Sequence, residues 1–282
     1  MRVIRLSADY IGELIAGKIG LRGPQLESCA LTLGSFDGLL RGHLELNEGV
    51  KSARDHLGLA ESAVFTFMQH PRTVLDDNPE PFLLTTWREK LSVLQDLGCD
   101  VIVAADFCPE LSRLGYRDFV ENFLVGYLGM KHLIAGYDVH LGSSRMGTAA
   151  TLAELGTELG YSMEVHEPVR YGEDIISSSA IRAAVSAGDM PRAEAMLGRT
   201  YEVWGEVTPG DGRGREIGFP TANIQPLDPM KLLPEAGVYA VRVQVPGDVV
   251  AAGTMGVLEE VTESLPEVDM QGEVLSAAPG NW

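Results

Sequence analysis

Cys29-Ala30-Leu31-Thr32-Leu33-Gly34-Ser35-Phe36-Asp37-Gly38-Leu39-Leu40-Arg41-Gly42-His43 is the stretch that decides the fold. Its first five residues are apolar or β-branched and stop at a glycine, which suits a strand buried inside a sheet. Gly34, Gly38 and Gly42 then permit tight turns and let a ligand approach the backbone. Helical spacing begins at His43 and runs to Leu57. A strand, a glycine-rich turn and a helix in that order set the positive end of the helix beside the turn, where an anion is favoured. His43 is placed to donate to a phosphate oxygen, with Gly34, Ser35, Phe36, Asp37, Gly38 and Gly42 as binding residues around it. A glycine-rich turn with a capping histidine is the competing plain reading of the same residues.

The alternation continues outward from this stretch. Strands are expected at Ala63–Phe67, Val101–Ala105, His132–Ala135 and Ser162–His166. Helices are expected at Thr86–Leu97, Phe119–Leu128, Thr148–Leu159, Ser177–Ala187 and Pro191–Leu197. Glu89 stands in the capping-box neighbourhood of a threonine N-cap at 85 or 86, and Gly160 suits the residue after a helix end. Strands alternating with helices predict an α/β, Rossmann-like parallel sheet covered on both faces. Such sheets bind ligands beyond the carboxyl ends of their strands, at a topological switch point. Two further loops are therefore informative. One is Gly136 to Gly147, where Asp138 and Arg145 sit among small residues. The other is Ser177-Ser178-Ser179 with Arg182 one turn later, where hydroxyls, helix N–H groups and a guanidinium would cradle a polyphosphate. Taken alone, the first of these reads as a solvated loop and the second as a serine cap with a surface arginine.

After Gly198 the texture changes. Val203–Thr208, Val238–Val245 and Val249–Gly253 are strand-like and separated by Gly/Pro turns, which predicts an all-β second domain. The division expected is 1–185 for the α/β domain, 186–200 for a linking helical region and 201–282 for a β-barrel domain. The β part ends at Asn281-Trp282 without a closing element, so an incomplete barrel is expected. The 282 residues carry a formal net charge of -18, which repels nucleic-acid backbones. A phosphate-bearing ligand then needs a local cationic or N–H site. Cys29, Cys99 and Cys108 form no framework and read as small buried residues with free thiols, consistent with a cytoplasmic protein. Arg2, Arg5, Asp9 and Glu13 break any secretory apolar run, and no stretch is apolar enough for a membrane helix.

The three loops together resemble the prokaryotic bifunctional riboflavin kinase/FAD synthetase family. The family's order is Gly-x-Phe-Asp-Gly-x-His-x-Gly-His, a Gly-x-Asp loop with a later arginine, and Ser-Ser-Thr-x-Ile-Arg. Phe67, His70 and Pro71 resemble its second-strand segment. Gly210 to Asn223, with Gly218-Phe219-Pro220-Thr221-Ala222-Asn223 inside it, resembles the start of the kinase domain, and Pro234 to Val241 continues it. The resemblance implies an adenylyltransferase domain that joins FMN to AMP from ATP, giving FAD and pyrophosphate. It also implies a kinase barrel that makes FMN from riboflavin and ATP, with Mg²⁺ in both steps. His43 would contact the transferring phosphate, and Ser178 and Arg182 would hold the departing pyrophosphate. Asp138, Arg145, Ser177 and Ser179 would line the nucleotide. Gly210, Gly212 and Gly214 would cover the kinase's ATP, while Thr221 and Asn223 would hold Mg²⁺. Leu40 stands where the family has the first histidine of His-x-Gly-His, and Pro209 where the kinase often has histidine. Losing one preorganised donor commonly costs ~10²–10³ in rate. A nucleotide- or flavin-binding chain without turnover is therefore the alternative expectation. A kinase half without its later glutamate base is expected to be inactive.

Overall fold

The structure is a computed structural model that describes residues 1–16, 25–77, 79–209, 221–245 and 249–257. At its centre lies a six-stranded parallel sheet. The strands are β1 (Arg2–Leu6), β2 (Cys29–Leu33), β3 (Glu61–Phe67), β4 (Val101–Ala105), β5 (Met130–Gly136) and β6 (Ser162–His166). Their order is β1-β4-β3-β2-β5-β6. From β2 the chain steps outward through β3 to β4, then returns to place β5 and β6 on the other side of β2. The direction of winding thus reverses between β2 and β5, and that is the switch point where a crevice opens.

The central strands are mostly buried and rich in apolar residues because both faces are covered. Leu31, Phe65, Val103 and Leu133 point into one core with Phe119, Phe123 and Leu152. Their neighbours Ala30, Val64, Ile102 and Ile134 point into the other with Leu46, Val50 and Leu94. On the second face lie α2 (Arg41–Leu57) and α4 (Trp87–Asp96), with the short α3 (Pro71–Leu75) between them in sequence. The first face carries α1 (Ala8–Ile15), α5 (Pro109–Ser112) and α7 (Ala149–Leu159). The helix expected at 119–128 starts earlier, as α6 (Tyr116–Asp118), and continues with π-type bonding through Phe119–Tyr127. Phe119, Val120, Phe123, Leu124 and Tyr127 are its buried side chains.

Two features depart from the sequence reading. Residues 2–6 form an edge strand paired in parallel with β4, Arg2 opposite Val101, and Ser7 caps the helix that follows. Arg2 and Arg5 are exposed in this edge strand, while Leu6 packs into the core. Helix α2 starts two residues before His43, at Arg41, with Leu40 as an N-cap that makes no side-chain bond.

A short antiparallel pair, β7 (Arg170–Tyr171) and β8 (Asp174–Ile175), leads to α8 (Ser178–Ser186) and α9 (Met190–Leu197). These two helices close a third apolar cluster over Leu40 and Leu84. The smaller strand region follows. In it β9 (Gly205–Thr208) pairs with β10 (Asn223–Pro226), and β11 (Gly237–Val245) pairs with β12 (Val249–Val257), both antiparallel. The strand texture expected after residue 198 is present, with β10 added to it. Cys29, Cys99 and Cys108 are buried and unpaired, and burial pushes the Cys29 thiol up to about 12. No described helix is long and apolar enough to cross a membrane.

Candidate functional site

The loop after β2 is strained and enclosed. Phe36 and Leu39 take positive φ values of 48° and 44°, although neither is glycine. Such conformations cost on the order of 1–3 kcal/mol each and persist only where surrounding contacts over-determine them. Those contacts are visible. Phe36 and Leu39 are fully buried. Gly38, at φ +87°, donates its N–H to Thr85 Oγ1 at 3.0 Å and accepts from Arg199 Nη2 at 2.7 Å. A Cβ at Gly38 would lie 2.9 Å from Leu84 Cδ1, so the position admits no side chain without displacement.

Asp37 is the hub of the loop. Its side chain is 2% exposed, and its carboxylate accepts from Leu84 N at 3.2 Å, Thr85 N at 3.0 Å and Arg182 Nη2 at 2.6 Å. Its carbonyl accepts from Ser178 Oγ at 3.0 Å. The first turn of α8 is thereby fastened to the loop after β2. Asp37 was expected among the nucleotide contacts. It is instead enclosed and saturated, so it organises the loop. Arg182 adds an Nε bond to Phe82 O at 2.8 Å. Ser177 is the N-cap, bonded from Ala180 N, and the exposed Ser179 follows Ser178.

His43 lies in the first turn of α2, half-buried, with its ring edge-on to Phe36 at 4.9 Å. Its Nδ1 is enclosed without a hydrogen-bond partner. Burial lowers its pKa to about 4, against an opposing pull from Asp37. At neutral pH the imidazole is therefore uncharged and keeps one N–H to donate. Burial likewise brings His70 to about 4, with Asp37, Arg182, Lys90 and Arg72 all close enough to contribute.

The remaining cations escaped the sequence reading. Lys90 is almost wholly buried and donates to Ser35 O at 2.7 Å and Phe67 O at 3.1 Å, joining the ends of β2 and β3. Burial lowers its pKa to about 8. Arg72 and Arg182 both lie over the Phe82 ring, at 4.6 and 5.4 Å, with His70 edge-on to it at 4.9 Å. In a chain of strongly negative charge, Lys90, Arg182 and Arg199 thus bond to the loop after β2, and Arg72 lies beside them over Phe82. Lys90 occupies an ordinary helix position, and nothing in its sequence neighbourhood marks it.

The loop after β5 stands on the other side of the switch point. Asp138 and Arg145 are exposed in it, and Arg145 has a positive φ of 57°. The loop turns back through Gly142, whose Cβ would fall 2.3 Å from Tyr116 N at a φ of +78°. Only glycine fits there. Ser143 N donates to Leu114 O, which seats the loop against the segment before α6. Among the described residues, the side chains of Asp138 and Arg145 make no hydrogen bond to His43, Ser178 or Arg182. Adjacency of β2 and β5 is what brings the two loops to one edge.

Leu40 is 5% exposed and packs with Leu84, Ile176, Ile181 and Leu197 beneath α8 and α9. Its side chain thus forms part of the core that carries Ser178 and Arg182. In the strand region, Thr221 is half-buried, and Asn223 is exposed at the start of β10, paired with Thr208. Gly210, Gly212 and Gly214 lie outside the described residues, as do Gly218, Phe219 and Pro220.

Comparison with known proteins gives two family matches along the chain, FAD synthetase over residues 23–180 and riboflavin kinase over residues 197–271. A bifunctional riboflavin kinase/FMN adenylyltransferase from Bacillus subtilis (strain 168) is 36% identical over 78% of this chain and 68% of its own. The protein of the same description from Escherichia coli (strain K12) is 35% identical over 82% of this chain and 73% of its own. A crystal structure described as a macrolide-efflux protein from Streptococcus pneumoniae superposes with a TM-score of 0.75 at 28% identity, covering 92% of this chain and 80% of that one. The relatives matched in sequence are described as enzymes, so the reading without turnover gains no support from them.

Proposed function

The chain belongs to the bifunctional riboflavin kinase/FMN adenylyltransferase family, and on that premise we propose how its residues divide the work. The family's enzymes are a nucleotidyltransferase and a kinase in one chain, and their substrates are ATP, FMN and riboflavin. The adenylyltransferase site is the crevice between the loops after β2 and β5, closed by the N-terminus of α8. The tie from Asp37 to Arg182 and Ser178 carries this reading, because it fastens a strained glycine loop to a helix N-terminus at the switch point.

In adenylyl transfer the FMN phosphate attacks the α-phosphorus of ATP in line and pyrophosphate departs. The protein's part is positioning and charge stabilisation. His43, neutral in the free protein, donates to an α-phosphate oxygen. The approaching anion also raises its proton affinity, so charge is supplied where it develops. Arg182, Ser178 and the N–H groups of α8, with Ser177 and Ser179 beside them, receive the departing pyrophosphate. Backbone groups of Gly34, Ser35, Phe36, Gly38 and Gly42 shape the floor, and Asp138 and Arg145 bound the nucleotide on the β5 side. Lys90 and Arg72 lower the cost of gathering phosphates. In the kinase half, Gly210, Gly212 and Gly214 cover the ATP.

Thr221 and Asn223 offer hard neutral oxygen donors two residues apart at the start of β10. Mg²⁺ takes few protein ligands and completes its shell with phosphate oxygens and water, so this donor set fits it. Bound there, it would neutralise phosphate charge. The domains divide as 1–185, a linking region at 186–200 that holds α9, and 201–282. A cytoplasmic location suits three free thiols.

The test is incubation of the chain with FMN, ATP and Mg²⁺, with FAD and pyrophosphate measured by chromatography. Arg182→Ala should lower kcat/KM for FAD formation by ~10²-fold or more, the scale of losing a transition-state donor. Wild-type-like turnover in that variant would remove Arg182 from the role.

A further inference from the structure

Between Phe82 and Thr85 a single backbone strap faces two ways. Towards the crevice, Leu84 N and Thr85 N donate to the Asp37 carboxylate, and Phe82 O accepts from Arg182 Nε. Away from the crevice, the same residues bond to the part of the chain matched by the riboflavin kinase family. Phe82 N and Leu83 N both donate to Met230 O, at 3.0 and 2.8 Å, and Leu232 N donates to Leu83 O at 2.9 Å. Lys231 sits between these bonds. Its Nζ donates to Leu84 O at 2.7 Å and to Glu89 Oε2 at 2.9 Å, and its side chain is 1% exposed.

The surroundings of Lys231 are fully engaged. Glu89 also accepts from Thr86 N and from Trp204 N at 2.9 Å. The ammonium lies 4.3 Å from the Tyr201 ring centroid, and the Tyr201 hydroxyl donates to Leu232 O at 2.7 Å. An ammonium buried so deeply is costly unless paired and bonded on several sides, and here it is. Its pairing leads straight to the crevice. Lys231 holds the carbonyl of Leu84, and the amide of Leu84 holds Asp37.

We propose that Lys231, from the kinase half, is a positioning residue for adenylyl transfer, holding the Phe82–Thr85 strap that keeps Asp37 and Arg182 in register. The proposal rests on the assignment of the crevice as the adenylyltransferase site. It makes the adenylyltransferase centre incomplete without residues 230–232, so ligands that shift β10 and its following turn would be felt at the phosphates.

The test uses the full chain and reads KM for ATP in FAD formation. A substitution that merely lowers the folded fraction reduces kcat and leaves KM unchanged. Lys231→Met, which fills the same space without a donor, should raise KM for ATP about tenfold and lower kcat/KM ~10²-fold, the scale of a misplacement near 1 Å. Tyr201→Phe removes only the hydroxyl that anchors Leu232 and should raise KM about threefold, the scale of one hydrogen bond. It serves if Lys231→Met does not fold. An unchanged KM for ATP in the variants that fold, with FAD formation intact in the wild type, overturns the role of Lys231. Absence of FAD formation in the wild type overturns the assignment of the crevice itself.

Discussion

Replacing Asp37 by asparagine is the perturbation with the widest consequences for one atom exchanged. The carboxylate faces the donors Leu84 N, Thr85 N and Arg182 Nη2, the last at 2.6 Å, in a site where its side chain is 2% exposed. Asparagine keeps one oxygen and turns an NH₂ group towards donors, so at least one donor is left facing another. The Arg182 guanidinium loses its counter-charge. Breaking a buried pair from one side costs ~3–5 kcal/mol because a charge remains uncompensated. For a domain of this size that is a fall of roughly 6–20 °C in melting temperature. FAD formation should fall further than stability, because the strap, the strained loop and Arg182 all relax together. The assays are thermal denaturation followed by fluorescence, and FAD formation at varied ATP. An Asp37→Asn chain melting within about 2 °C of wild type, as an ordinary surface change would, with KM for ATP unchanged, would refute the account of Asp37 as the hub.

Three other outcomes are expected. Leu40→His restores the family residue but places an imidazole in the cluster of Leu84, Ile181 and Leu197. It should lose ~2–4 kcal/mol by urea denaturation, and a gain in FAD rate without loss of stability would show that residue 40 reaches the crevice. His43 has a folded pKa of about 4, below its ordinary 6.5, so the unfolded chain takes up the proton first. Its contribution is complete above pH 6.5 and is lost as pH falls towards 4. The urea midpoint of His43→Gln should therefore decline less between pH 6.5 and 4.5 than that of wild type, and parallel declines would contradict the burial of this imidazole. Gly142→Ala puts a methyl group 2.3 Å from Tyr116 N at a φ of +78°. It should cost ~2–4 kcal/mol and weaken nucleotide binding, and a neutral effect in thermal denaturation would mean the loop after β5 is not seated on α6.

How much of this was legible in the sequence depended on which groups do the work. The strands at Cys29–Leu33 and Val101–Ala105 were readable because burial on both faces leaves short, mostly apolar runs, whereas β6, mostly exposed, was read from the alternation of elements. His43, Ser178 and Arg182 were singled out from a glycine-rich turn and a serine-rich helix start, and the structure sets His43 in the first turn of α2 and ties Ser178 and Arg182 to Asp37. The pair β1 and α1 was missed, since Arg2 and Arg5 interrupt a strand that is supported on one side only. The first two residues of α2 were missed because Leu40 caps it without a side-chain bond. The strap at 82–85 acts through backbone N–H and C=O groups, which every residue but proline supplies, so side-chain identity gave no signal. Lys231 and Glu89 are 142 residues apart and meet only once the strand region folds against α4. Asp37 was singled out as a nucleotide contact, but its burial and its bonds to Leu84, Thr85 and Arg182 came from the fold.

The most direct test of the central claim is a crystal structure of the chain with a non-hydrolysable ATP analogue. The account predicts the triphosphate over the Gly34–His43 loop, its α-phosphate within hydrogen-bond distance of His43 and its outer phosphates against Arg182 and the first turn of α8. An analogue bound away from this crevice, for instance between Trp87 and Asp228 in the cleft beside β9 and β10, with His43 and Arg182 untouched, would contradict it.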